Sequence, residues 1–388
     1  MQKILIIVPS FHSGGTVSSL INFVSLVDKE RYNICVFAIT PIGPNKLYVA
    51  EHCTIVGEED NVYPGKSSKS VGRVIKTKAL SIAKTLKKNL EKIGIDISPI
   101  LFKRYVKRLD TGEYDFILAF QEGQATLFGS YFKHGTKVAW VRSEYTRFVQ
   151  KVGDKYDACY EKYDKVVSVS KTALSSFLSV LPQFQEKAFV QYNFLNDTRI
   201  ISLSEEKVKD LWNGDSFTIV TLGRIDPVKR VSEIPRLCRQ ILDLGLLFRW
   251  VIIGGVAVED EYKRLIENME RYHVRESVIL LGNRPNPYPY LKHSNLLVSL
   301  SISETFNNTL TESKILGIPV VTTDYPCAYE SIDNMKEGII INFEAVVPTI
   351  VDMINDKSHL YSSIKEYLST YKYDKDKLLF NLYTNVLN

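Results

Sequence analysis

Short apolar runs recur along the chain, separated by polar loops and by stretches whose apolar residues fall three or four apart. The runs are Lys3–Val8, Tyr32–Ile39, Cys53–Val56, Tyr114–Phe120, Lys137–Val141, Lys165–Ser170 and Lys187–Asn193 in the first half. In the second half they are Phe217–Leu222, Phe248–Ile253, Ser277–Leu281, Leu296–Leu300, Pro319–Thr323 and Gly338–Ile341. Continuous apolar runs of this length predict strands buried on both faces, as in parallel sheets. Val17, Leu20, Ile21 and Val24 predict a helix after a glycine loop, and Leu310, Ser313, Ile315 and Leu316 predict another that stops at Gly317. Residues 196–215 read as a hinge and linker with a short helix over Glu205–Trp212, and a last helix is expected from Asp374 to Val386. Strand and helix alternate twice over. The expected class is α/β, two doubly wound Rossmann-like domains over residues 1–198 and 199–371 with an interdomain cleft.

Three strand-end loops carry candidate chemistry. Ser301–Thr323 places Glu304 in the loop after one strand and Glu312 in the helix that follows, where free N–H groups attract anions. Thr309-Leu-Thr-Glu312 also reads as a capping box, in which Glu312 only satisfies backbone donors. Arg224 and Lys229, five apart after Phe217–Leu222, can aim at one anionic group, as a diphosphate requires. Gly14-Gly15 sits between the first strand and helix without completing G-x-G-x-x-G, and fits either a tight turn or a phosphate cradle.

Composition narrows the class. The chain has 388 residues, 45% hydrophobic and 24% charged, which suits two globular domains. Five scattered cysteines without a C-x-x-C point to reduced, buried thiols in a cytosolic protein rather than to disulfides or zinc. Ile4–Val8 is too short for a signal core, and no run of 18 apolar residues spans a membrane. The net charge of +5 is uneven: Lys66–Arg108 holds 13 Lys/Arg against Glu91 and Asp96, a local +11 that leaves −6 elsewhere. Apolar residues from Val74 to Ile93 recur there at helical steps, predicting a basic amphipathic helix. A solvated face, a nucleic-acid patch and a membrane-surface element compete for it. No nucleic-acid module accompanies it, and lysines backed by aliphatics suit an anionic lipid surface.

The Glu304-x7-Glu312 spacing, Phe306 and the Gly317-Ile-Pro-Val-Val321 ending resemble retaining glycosyltransferases of the two-Rossmann-domain (GT-B) kind, family 4. Asn307-Asn308 stand where that family commonly has a glycine after the Phe. Glu122, Gly123, Thr126, Trp140 and Val141 are similar to the strand ends Glu-Gly-x-x-Thr and Trp-Val-His-Asn-Asp of members that build capsular and other surface polysaccharides. Arg142 replaces the His and Glu144 the Asp. Gly223-Arg224 with Lys229 resembles the family's Gly-Arg…Lys element, and Gly282–Tyr290, with Arg284, looks like its base-lining loop.

The resemblance implies transfer of a hexose-type sugar, with retention, from a nucleotide diphosphate-sugar (UDP before GDP) to a glycan or polyprenyl-diphosphate-linked acceptor. Glu304 would hold donor-sugar hydroxyls and Glu312 the ribose hydroxyls, with Phe306, Asn307, Asn308 and Thr309 beside them. Arg224 and Lys229 would balance the diphosphate, and Gly14 and Gly15 would lie against it. Glu122, Arg142 and Glu144 would face the acceptor, and an arginine at the usual histidine position points to an acidic or otherwise unusual sugar. The alternative is that Arg142 and Glu144 are simply exposed loop charges. The final helix 372–388 would cross back onto the first domain. No metal or other cofactor is expected, since Arg224, Lys229 and the helix start near Asn308 take a cation's place. Asp374-Lys-Asp376 reads as a helix cap rather than a metal motif. The expected location is the cytoplasm, peripherally on the inner face of the plasma membrane. Two alternatives stay open: a non-catalytic sugar-nucleotide-binding or scaffold subunit, and a GT-B nucleotide-sugar epimerase.

Overall fold

The computed structural model describes residues 1–12, 14–57, 96–212 and 216–388. They form two compact units, Met1–Phe194 with Asp376–Asn388, and Leu195–Lys375. The basic helix expected over 74–93 lies outside the described residues. The end of that segment, Ser98–Leu109, is a helix.

The first unit is a seven-stranded parallel sheet. Its strands are β1 (Gln2–Ser10), β2 (Tyr32–Thr40), β3 (Thr54–Ile55), β4 (Phe116–Ala119), β5 (Thr136–Val141), β6 (Lys165–Ser168) and β7 (Ala188–Val190), in the order β3-β2-β1-β4-β5-β6-β7. The second is a six-stranded parallel sheet of β8 (Phe217–Leu222), β9 (Phe248–Ile253), β10 (Val278–Gly282), β11 (Leu296–Ser299), β12 (Val320–Thr323) and β13 (Ile339–Ile341), in the order β10-β9-β8-β11-β12-β13. The strand order reverses between β1 and β4, and between β8 and β11. Ligands of such sheets bind at the carboxyl ends beside these reversals.

Alternation along each strand explains why the apolar runs are unbroken. In the second unit Ile219, Trp250, Ile252, Leu296 and Val298 bury one face, and Val220, Val251, Ile253 and Leu297 the other. Two polar groups inside the sheet serve each other: Trp250 Nε1 donates to Thr221 Oγ1 at 3.0 Å, which donates to the Val298 carbonyl at 2.8 Å.

The unit boundaries fall at Phe194/Leu195 and Lys375/Asp376 rather than at 198/199 and 371/372. The linker helix is Asp197–Ser204, not Glu205–Trp212. The Asn196 side chain caps it by accepting from Arg199 N at 3.0 Å, and Asp197 pairs with Lys375 within the second unit. The final helix Lys375–Asn381 runs into a π turn at Leu382–Val386. Tyr383 stacks on Tyr32 with ring centroids 5.8 Å apart and its hydroxyl accepts from Asp28 N, fixing this segment in the first unit.

Candidate functional site

In the second unit, the loops after β8 and β11 meet beside the strand reversal. The β8 loop turns at Asp226, whose carboxylate accepts from Lys229 N at 3.2 Å. Its path lies against the end of β9: a Cβ on Gly254 would fall 1.7 Å from the Gly223 carbonyl oxygen, so only glycine fits. Ile302 N donates to the Val228 carbonyl at 2.8 Å, tying the β11 loop to the β8 loop. That brings the Lys229 ammonium onto the Glu304 carboxylate, to which Ser301 Oγ also donates at 2.7 Å. Arg224 stays mostly exposed, with Asp226 at 3.3 Å.

The helix after β11 is Asn308–Ile315. Its cap is Asn307, whose side-chain oxygen accepts from Thr309 N at 3.3 Å and from Thr309 Oγ1 at 2.7 Å. The Asn307 amide donates to Ser299 Oγ and to the Tyr325 hydroxyl, at 3.2 and 3.1 Å. Expected on the donor, this side chain is buried and holds the helix start. With the cap at Asn307, Glu312 lies beyond the first turn and the capping-box alternative fails. Glu312 is buried beside Tyr288, whose hydroxyl donates to it at 3.2 Å.

Burial pushes the Glu312 carboxyl up from 4.5 to about 7, against the opposing pull of the Tyr288 hydrogen bond and Arg199. A carboxyl raised on folding stabilises fully below its unfolded value and loses that contribution as pH rises towards 7. Glu312→Gln is therefore expected to remove a loss of stability on the order of 3 kcal/mol between pH 4.5 and 8. Thermal unfolding of both proteins across that range checks it; parallel curves would refute the protonated carboxyl.

Arg284, expected at the base, has its guanidinium paired with Asp210, and its Nε donates to the Tyr290 hydroxyl at 3.2 Å. This braces the β10 loop on the linker. A cavity of about 330 Å³ opens at the carboxyl ends of β8, β9 and β10, lined by Ile225, Gly254, Gly255, Tyr262, Gly282 and Asn283, among others.

In the first unit, Thr16 Oγ1 donates to Gln121 Oε1 at 3.1 Å, joining the start of the helix after β1 to the loop after β4. Gly14 has φ +154° and Gly15 opens the helix; a Cβ on either meets no described atom within 4 Å. Glu122 is buried, and its carboxylate accepts from Arg142 N at 2.8 Å. The Arg142 guanidinium donates to the Phe120 carbonyl at 2.7 Å and Asn193 Oδ1 at 3.0 Å, and lies over the Phe120 ring. Burial lowers its pKa, which neighbouring Glu122 opposes. Arg142 is thus no exposed loop charge: its Nε and Nη1 are held by the protein. Glu144 stands at the start of helix Tyr145–Val152 and pairs with Arg147 at 2.9 Å.

Sequence reasoning missed Tyr288, Arg199, Ser301 and Asn193. Tyr288 lies inside the Gly282–Tyr290 loop, but nothing local in the sequence links it to Glu312. Among the described residues no group of three or more His, Cys, Asp or Glu is placed to hold a metal ion, and no helix is long and apolar enough to cross a membrane.

Residues 204–370 match the family described as glycosyl transferases group 1. The capsular polysaccharide biosynthesis glycosyltransferase CapM of Staphylococcus aureus is 28% identical over 162 residues, 40% of each chain. An N-acetylgalactosamine-N,N'-diacetylbacillosaminyl-diphospho-undecaprenol 4-alpha-N-acetylgalactosaminyltransferase of Campylobacter jejuni is 27% identical over 187 residues, 48% of each. The chain thus spans less than half the length of these curated relatives. Anabaena Alr3699/HepE in complex with UDP and glucose has the same fold, with a TM-score of 0.73 at 15% identity over 100% of both chains. The chain has the two-sheet architecture of GT-B glycosyltransferases, and its second unit is related to the group 1 glycosyl transferases.

Proposed function

We propose that the protein is a retaining glycosyltransferase of family 4. It moves a hexose-type sugar from a UDP-sugar to a glycan or polyprenyl-diphosphate-linked acceptor in surface polysaccharide synthesis. The carrying observation is the meeting of Lys229 and Glu304 at the β8/β11 reversal: a cation for a diphosphate beside a carboxylate for sugar hydroxyls. Arg224 joins Lys229 on the diphosphate, and Glu312 takes the ribose hydroxyls. Phe306, Asn308 and Thr309 lie along the donor at the helix start, with Asn307 as their support. Gly14 and Gly15 leave room for phosphate, and Glu122 and Arg142 shape the β4 and β5 ends towards the acceptor. The curated relatives' names, one capsular and one acting on a diphospho-undecaprenol, support the acceptor class.

The cations serving the diphosphate come from the chain, so no metal is required. UDP at 100 times its dissociation constant is expected to add about 2.7 kcal/mol of stability. The rise in Tm should be the same in chelator. Stabilisation that appears only with added manganese or magnesium would overturn the metal-free reading.

We also propose that the protein docks peripherally on the cytoplasmic face of an anionic membrane. The helix Ser98–Leu109 turns Ile100, Lys103, Arg104, Lys107 and Arg108 outwards and buries Phe102, Tyr105 and Val106. That face carries no acid, and the rest of the basic segment precedes it in sequence. At about 1 kcal/mol per basic residue near the surface, Lys103→Glu with Lys107→Glu should cut binding to anionic vesicles at least about tenfold. Binding should also fall with salt as the Debye length shortens. Equal sedimentation with neutral vesicles would return the helix to a solvated face.

A further inference from the structure

Lys229 and Glu304 come from different strand-end loops yet satisfy each other. Their side chains are only 20% and 15% exposed, and Ser301 Oγ reaches the same carboxylate oxygen. The loops themselves are pinned: Asp226 holds Lys229 N, Val228 holds Ile302 N, and Cys327 Sγ donates to the Glu304 carbonyl at 3.0 Å. A ligand that takes Lys229 must therefore draw its side chain off Glu304 rather than shift the loops apart.

Resting on the donor reading above, we propose that the Lys229–Glu304 ion pair makes the site prefer a nucleotide diphosphate-sugar over the free nucleotide diphosphate. A free diphosphate draws the Lys229 ammonium to its phosphates. Glu304 is then a largely buried carboxylate with Ser301 as its remaining side-chain donor and a new anion nearby, a costly state. A sugar nucleotide takes Lys229 in the same way but returns hydroxyl donors to Glu304, which offsets the loss. After transfer the bound product is the ligand without those hydroxyls. Glu304 then competes for Lys229 and speeds product release.

The test is a cycle of dissociation constants by calorimetry for wild type, Glu304→Gln, Lys229→Met and the double variant, with UDP, UDP-glucose and UDP-N-acetylglucosamine as probes. Glu304→Gln keeps the shape and an oxygen for Ser301. It should tighten UDP about tenfold, about 1.4 kcal/mol, without tightening the better-bound UDP-sugar. The preference for sugar nucleotide over UDP then falls by about tenfold. In the Lys229→Met background the same change should alter UDP affinity less than about twofold, because Glu304 acts through Lys229. UDP affinity that is unchanged or weaker in Glu304→Gln overturns the proposal. So does equal tightening with and without Lys229, which would mean bare repulsion between carboxylate and phosphate. Failure of wild type to bind UDP, or binding by Lys229→Met as tight as wild type, overturns the donor reading and this proposal with it. Thermal unfolding checks each variant, and Glu304→Ala serves the same cycle if Glu304→Gln folds poorly.

Discussion

Glu304→Gln is expected to lower kcat for sugar transfer, or for donor hydrolysis by the pure protein, by at least about 10²–10³-fold, with the fold intact. The change keeps the volume and one oxygen but removes the charge that Ser301 and Lys229 hold in place at the β11 end. A fixed charge beside the reacting sugar acts on the transition state, so the loss should fall on kcat rather than on donor KM. Glu312→Gln should show the opposite split, since a carboxyl beside Tyr288 that serves the ribose takes no part in breaking the sugar bond. It should raise donor KM and leave kcat within a few-fold. Steady-state kinetics on both variants decides the matter. Full activity per folded molecule in Glu304→Gln would leave the loop carboxylate a structural partner of Lys229 and remove the main support for catalysis.

The strands were readable because a parallel sheet covered on both faces leaves no polar alternation, so each strand stands out as an unbroken apolar run. Ile219 and Val220 are neighbours in sequence and bury opposite faces of one sheet. The same logic placed Arg224, Lys229 and Glu304 in loops at strand ends. Their meeting depended on strand order, with β8 beside β11, which no local pattern carries.

Helix starts were harder to read. Thr309-Leu-Thr-Glu312 has capping-box spacing, yet the helix begins earlier because Asn307 is anchored by Ser299 on β11 and by Tyr325, eighteen positions away. The linker helix shifted for a similar reason. Glu205–Trp212 has helical composition, but Asp210 is held by Arg284 and Tyr290, and Trp212 Nε1 donates to the His293 carbonyl at 3.2 Å. Arg142 and Arg284 show the limit most plainly. The family resemblance suggested ligand contacts for both, and each also has long-range protein partners, Phe120 and Asn193 for Arg142 and Asp210 and Tyr290 for Arg284. A solitary arginine in a sequence carries no sign of which carbonyl or carboxylate it will meet.

Lys314→Met is expected to be among the most destabilising single changes in the second unit. Lys314 sits two residues past Glu312, on the inner side of helix Asn308–Ile315, and is almost wholly buried. Its ammonium donates to the Ser331 carbonyl at 2.6 Å, pairs with Glu337 Oε2 at 2.8 Å, and lies 5.0 Å from the Tyr371 ring centroid. Glu337 also accepts from Asp333 N at 2.9 Å, so the pair ties the helix to the turn before β13. Methionine fills the space but leaves a largely buried carboxylate, 12% exposed, without its cation, a loss of about 3–5 kcal/mol when one partner of such a pair is removed. For a unit of this size that corresponds to a fall in Tm of roughly 6–20 °C. Adding Glu337→Gln should recover much of it, since the stranded charge, not the lost attraction, accounts for most of the cost. The helix also carries Glu312, so donor KM should rise at temperatures where Lys314→Met is still folded. Calorimetric unfolding of the single and double variants tests this, and a fall in Tm under about 2 °C for Lys314→Met would show that the pair contributes little to holding the helix.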